Sequence, residues 1–220
     1  RVRTRIKICG ITHAEDAAVA VTAGADALGL IFFPQSRRVV DLAQATAVAR
    51  EVPPMVDLVG VFVDPSEAEI TRVLESVPLT VLQFHGSESA AECDRGVLPY
   101  IKAVRMREGI DAERLPVAYP NAGAFLLDTY HADAVGGTGV SFDWDRANLD
   151  LPVPVILAGG LDSHNVAAAL DRSGAWAVDV STGVELEPGR KCPKKMKAFC
   201  EAVSAWDAKA ADRPIRGKSV

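Results

Sequence analysis

The chain is short of several things, and each shortage excludes a class of protein. Its 220 residues contain four cysteines, Cys9, Cys93, Cys192 and Cys200, with no C-x-x-C pair and no histidine nearby at metal-ligand spacing. That pattern excludes a disulfide scaffold and a sequence-evident zinc site, and it points to a reducing cytoplasm. Basic charge is also scarce: Lys plus Arg total 24 against 29 Asp plus Glu, a net charge of −5. Nucleic-acid and membrane-surface partners draw on a basic face, so neither is expected. A single positive pocket for a small anion is still compatible with an acidic whole. No apolar run is long enough to span a bilayer, and no signal-peptide pattern is present. No glycine- or proline-rich linker divides the chain.

What is abundant is apolar material, 49% of residues, enough for a sizeable core. It is arranged as short runs that alternate with helical stretches. The strand candidates are RIKIC (5–9), ALGLIF (27–32), DLVGVFV (57–63), LTVLQFH (79–85), PYIKAV (99–104), AFLLD (124–128), VPVILAGG (153–160) and AWAVDVS (175–181). Helical patterns lie over 13–24, 41–52, 65–77 and 162–174, and those after the fifth and sixth strands read as short or degenerate. Gly24 and Gly174 suit left-handed C-caps, while Asp41, Pro65 and Asp162 suit helix starts. Crossovers of this length belong to parallel strands. The expected fold is α/β: a single (β/α)8 TIM-type barrel over residues 1–204, with an open doubly wound sheet as the alternative. Residues 205–220 lose periodicity and are expected to fray.

A barrel of this kind carries its site at the C-terminal ends of its strands, and side chains alternate in and out along each strand. Ile6 and Ile8 then face the helices, which turns Lys7 and Cys9 inward with Cys9 uppermost. Strand six turns Leu126 and Asp128 inward, and strand four turns Gln83 and His85. A thiol, a carboxylate and an imidazole thus converge on one mouth. Each has a plainer reading alone: a small buried hydrophobe, a loop cap, and a partner for backbone groups. Two strand ends are also glycine-bearing: Gly159 and Gly160 after strand seven, and Ser181, Thr182 and Gly183 after strand eight. Loops there are the usual phosphate site of the fold, where backbone N–H groups and a helix N-terminus receive the anion. Tight turns are the plainer reading. GGTG at 136–139 has no P-loop spacing; it lies in a long loop, 129–142, of the kind that closes over barrel mouths as a lid. Arg37 and Arg38 follow strand two, and one could grip a carboxylate by a two-pronged hydrogen bond, or both could be solvated.

Taken in order, KICGIT, GADALGLIFFPQSRR, VGVFVD, LQFHGSE, FLLDT, GGTGVSFDW, LAGGL and VDVSTGVE with PGRK resemble the phosphoribosylanthranilate isomerase family of tryptophan biosynthesis over nearly the whole chain. The resemblance implies a cytoplasmic (β/α)8 barrel, monomer or homodimer, that performs an Amadori rearrangement on a phosphorylated small molecule with no cofactor and no metal. It implies Cys9 as general base, Asp128 as general acid, Arg38 rather than Arg37 as reader of the anthranilate carboxylate, and His85 as a pocket residue. Lys7, Gln83 and Asp179 join the substrate-binding set, and Gly159, Gly160, Ser181, Thr182 and Gly183 the phosphate cradle. Such chemistry calls for a raised carboxyl and a lowered thiol, and Lys7 is expected to lower Cys9. One departure stands out: the family's aspartate after PGxK is Cys192 here, followed by Pro193, which removes a helix cap or moves the helix start. The alternatives are the sister aminoribose isomerase of histidine biosynthesis, which uses aspartates at both positions, and a barrel that only binds a phosphorylated metabolite.

Overall fold

Eight of the apolar runs become eight parallel strands in the computed structural model, which describes residues 3–95, 98–106, 109–129 and 144–211. They are β1 (Arg5–Cys9), β2 (Ala27–Ile31), β3 (Asp57–Phe62), β4 (Val81–Phe84), β5 (Tyr100–Arg105), β6 (Ala124–Asp128), β7 (Val155–Ala158) and β8 (Ala177–Val180). Each pairs with its neighbour in sequence, and β8 returns to β1 with Lys7 opposite Asp179, so the sheet closes into a barrel. The open-sheet alternative falls on that pairing.

Alternation sorts the side chains as the sequence led one to expect. Ile6, Ile8, Leu28, Leu30, Phe125 and Leu127 pack outward into the annulus between strands and helices. Val59, Ile101, Ala103, Leu126, Ile156 and Ala177 fill the barrel itself. Helices α1 (Ala14–Ala23), α2 (Leu42–Ala49), α3 (Glu67–Leu74), α4 (Ala90–Cys93), α5 (Leu115–Ala118), α6 (Val166–Ser173) and α7 (Pro193–Ala211) form the outer layer. Gly24 and Gly174 end α1 and α6 at φ 106° and 59°, the left-handed conformation expected of them. Asp41 caps α2. Two starts shift inward. Ser66, not Pro65, caps α3 with Glu69 reciprocating, and Asn165 precedes α6 while Asp162 accepts the N–H groups of His164 and Asn165 one turn earlier. Helix α4 was not foreseen, although Ser89 and Glu92 form a capping box at its start.

The expectation of a fraying tail is corrected for 205–211. Helix α7 continues through them because Trp206, 5% exposed, packs against the barrel's outer layer and its indole N–H donates to Asp171 at 3.0 Å. The segment looked aperiodic because alanine is too small to mark an apolar stripe. Residues 212–220 lie outside the described residues. A short antiparallel ribbon, β9 (Glu185–Glu187) and β10 (Arg190–Lys191), separates β8 from α7 and had no counterpart in the sequence reading.

Candidate active site

Cys9 ends β1 and reaches the C-terminal mouth of the barrel, 6% exposed. The neighbouring strand makes room for it. A Cβ on Gly29 would lie 2.7 Å from the Cys9 sulfur and 3.2 Å from the Lys7 ammonium, so glycine is what lets both side chains share the interior. One layer below, Lys7 Nζ donates to Asp179 Oδ1 at 2.8 Å inside the barrel. The thiol does not sit where the expected chemistry asked. Burial pushes it up, Lys7 and Lys191 draw it down, Asp179 pushes it up again, and the balance is a raised thiol. Lys7 is held above its ordinary value: burial works against its charge, but Asp179 and Cys9 outweigh burial. Lys7 thus acts in the expected direction and is outweighed by desolvation.

Across the mouth, Asp128 ends β6 with its carboxylate partly exposed, and His85, just past β4, places Nε2 3.7 Å from Asp128 Oδ2. Thr129 fixes the strand end: its N–H and its hydroxyl both donate to the Ala158 carbonyl at 3.0 Å. Gln83 is 1% exposed and sits one layer beneath, its amide nitrogen 3.5 Å from His85 Nδ1, so it supports the imidazole from below. GGTG and the rest of the expected lid over 130–142 lie outside the described residues; Thr129 is its described root.

On the adjoining side, Gly159 and Gly160 follow β7 in left-handed backbone, φ 102° and 62°. Ser181 and a single 3-10 turn, Thr182–Val184, follow β8. A Cβ on Gly183 would stand 1.9 Å from the Leu161 carbonyl oxygen, so the two loops meet backbone to backbone only because that residue is glycine. The five candidate phosphate residues thus form one continuous rim. Arg38 reaches the same rim from the β2 side, where a Cβ on Gly10 would be 2.5 Å from its Cδ and 3.2 Å from Ser181 Oγ. Its guanidinium is already engaged: Nε and Nη2 donate to the two oxygens of Glu185, each at 2.7 Å. The expected two-pronged grip on a ligand therefore has one edge of the guanidinium occupied from within.

Sequence reading missed three charged residues here. Arg105, the last residue of β5, falls on the same alternation as Ile101 and Ala103 and is exposed at the mouth; a strand one residue longer would have included it. Glu185 and Lys191 come from the β9–β10 ribbon, and no periodicity pointed to them. Among the described residues no three His, Cys, Asp or Glu side chains come together as metal ligands. A separate cavity of about 780 Å³ opens at the other, N-terminal end of the barrel, walled by apolar residues such as Val59, Tyr100 and Ile156. It lies beneath the convergent polar groups and shares only Lys7 with them.

Residues 6–202 match the family model described as PRAI: N-(5'phosphoribosyl)anthranilate (PRA) isomerase. An N-(5'-phosphoribosyl)anthranilate isomerase of Pseudomonas fluorescens is 52% identical over 199 residues, covering 90% of this chain and 95% of its own. The crystal structure of phosphoribosyl anthranilate isomerase from Thermotoga maritima matches with a TM-score of 0.82 at 38% identity, over 92% of this chain and 99% of that one. Another crystal structure, of the isomerase in complex with reduced 1-(o-carboxyphenylamino)-1-deoxyribulose 5-phosphate, matches with a TM-score of 0.78 at 36% identity, over 92% and 99%. With a closed barrel, a thiol and a carboxylate at its mouth, and this likeness along nearly its whole length, the chain belongs to the N-(5'-phosphoribosyl)anthranilate isomerase family.

Proposed function

We propose that the chain isomerises N-(5'-phosphoribosyl)anthranilate to 1-(2-carboxyphenylamino)-1-deoxyribulose 5-phosphate in tryptophan biosynthesis, with Asp128 as general acid and Cys9 as general base. The observation that carries the reading is the placement of these two side chains at the C-terminal ends of β6 and β1, facing one mouth. Asp128, protonated, donates to the ribose ring oxygen. The C1'–O bond breaks as the anilino nitrogen forms a double bond to C1', giving the open Schiff base. Cys9, as thiolate, takes the proton from C2', and the resulting enolamine tautomerises to the ketone. Acid and base on different sides of the substrate are what this sequence of steps needs.

The remaining residues serve binding. Backbone N–H groups around Gly159, Gly160, Ser181, Thr182 and Gly183 suit the phosphate, and the αL glycines leave the approach open. Arg38 meets the anthranilate carboxylate and His85 lines the pocket beside Asp128. The Lys7–Asp179 pair and Gln83 form the floor. Lys7 and Lys191 supply positive charge to the thiolate when it forms. All these residues come from one chain, so a monomer and a homodimer suit the reading equally. Four free cysteines suit a reducing cytoplasm, and no described helix is long and apolar enough to cross a membrane.

The test is turnover of phosphoribosylanthranilate generated in situ, followed by loss of its fluorescence. Wild type should be active, and Cys9→Ala and Asp128→Asn should each lose on the order of a thousandfold or more, as removal of an essential acid or base does. A wild type that binds the compound without turning it over would overturn the assignment, and the aminoribose of histidine biosynthesis would be the next substrate to try.

A further inference from the structure

Glu185 and Lys191 enter no step above, yet they are among the most deeply buried charges in the molecule. Their side chains are 4% and 0% exposed, and Lys191 Nζ donates to Glu185 Oε1 at 2.8 Å. That single ion pair already neutralises the carboxylate. Glu185 nevertheless takes a second cation, Arg38, through two parallel bonds of 2.7 Å to both of its oxygens. A planar, two-bond pairing fixes the plane of a guanidinium, which a single bond does not. The other hydrogen of Nη2 goes to Thr182 Oγ1 at 3.2 Å. Of the five guanidinium N–H groups, the two on Nη1 have no partner among the described residues. The group is thus clamped along one edge and offers the other, while Gly10 leaves space for its methylenes.

The same pair also reaches the phosphate rim. Lys191 Nζ donates to the Ser181 carbonyl at 3.2 Å and to its hydroxyl at 3.3 Å, and the Lys191 N–H is held by Asp16 of α1 at 3.0 Å. One buried anion therefore sits between the group offered to an aromatic carboxylate and the loop offered to a phosphate.

We infer that Glu185, with Lys191 as its buried counter-ion, is the positioning residue that aims Arg38 at the carboxylate of the substrate and holds that donor at a fixed distance from the phosphate rim. This rests on the role given to Arg38 under Proposed function. Glu185 itself touches no substrate; it acts through Arg38.

The experiment measures, by calorimetric titration, binding of reduced 1-(2-carboxyphenylamino)-1-deoxyribulose 5-phosphate and of the phenylamino analogue that lacks the carboxylate. The proteins are wild type, Glu185→Gln, Arg38→Met and the double variant. Glu185→Gln should weaken the carboxylated ligand at least tenfold and the carboxylate-free ligand less than twofold, and it should add less than twofold in the Arg38→Met background. In turnover its effect should appear in KM more than in kcat. Should the single variant fail to fold, Glu185→Gln combined with Lys191→Met removes both buried charges together, and its comparison with Lys191→Met alone, which shares the lost Ser181 contacts, carries the same expectation. Equal weakening of both ligands, or none of the carboxylated one, would overturn the inference while leaving the proposed reaction standing. A wild type that binds neither ligand would overturn both.

Discussion

Cys9 sits between two opposed influences. Burial keeps the proton on its sulfur, while the ammonium groups of Lys7 and Lys191 draw it off, and burial prevails. A raised thiol is mostly protonated at neutral pH, so the active thiolate fraction grows as pH rises; kcat/KM should climb through the alkaline range with it. Lys7→Met removes one cation and leaves Asp179 facing the sulfur unneutralised, and both changes raise the thiol further. Its pH–rate profile should therefore move to higher pH; a profile that stays in place would show that Lys7 does not tune the base. Gly29 is the second control at this scale. In Gly29→Ala the new methyl, 2.7 Å from the sulfur, must displace Cys9 or Lys7. A misplacement near 1 Å can cost on the order of a hundredfold in rate. Far-ultraviolet circular dichroism should stay unchanged while kcat falls; an undiminished kcat would mean the thiol relaxes without cost. Cys9 and Asp128 were legible in the sequence because strand alternation has period two and each ends its strand. The choice of Arg38 over Arg37 came only from family resemblance. Glu185, although it closes the VDVSTGVE stretch, was given no role, since it acquires its partners at sequence separations of 147 residues for Arg38 and 6 for Lys191.

At the scale of elements, boundaries followed local chemistry wherever a cap was strong. The left-handed glycines after α1 and α6 and the Asp41 box fall where the sequence put them. Elements without periodicity were lost or blurred: α4 was not foreseen, and α5, expected only as a short helix after the fifth strand, is like it a single turn of four residues, too short to show a 3.6-residue pattern; the β9–β10 ribbon was not foreseen either. The start of α7 resolves the departure from the family pattern. Cys192 takes the N-cap position, with the Met196 N–H donating to its carbonyl at 2.9 Å, and Pro193 occupies the first helical position. Proline there has a preset φ and no N–H to satisfy, so part of the missing cap is made good. The side-chain bond to the first turn is still lacking. Cys192→Asp should raise stability by about 1 kcal/mol, seen as a higher urea midpoint at unchanged slope. An unchanged midpoint would mean that Pro193 already does the whole task.

For the molecule as a whole, eight strand–helix alternations pointed to a barrel with an open sheet as the alternative, because parallel neighbours joined by short crossovers leave few ways to bury both faces of the sheet. What alternation could not show was how the ring is sealed. Strand β1 must find β8, and Lys7 meets Asp179 across 172 residues. Bringing together positions so far apart in the chain is slow compared with forming helices or adjacent strand pairs. The thiol at the end of β1 therefore doubles as a timer. Until the seam shuts, Cys9 lacks the Asp179 and Lys191 neighbours that β8 and the ribbon after it bring, and its sulfur stands open to alkylating reagents. During refolding, protection of the Cys9 peptide against alkylation should appear together with turnover and after most of the helical circular-dichroism signal. Protection that arrives with the helices would place the seam early. The order of events ties competence to completeness: a nascent chain that has not yet delivered β8 has its thiol with no site around it.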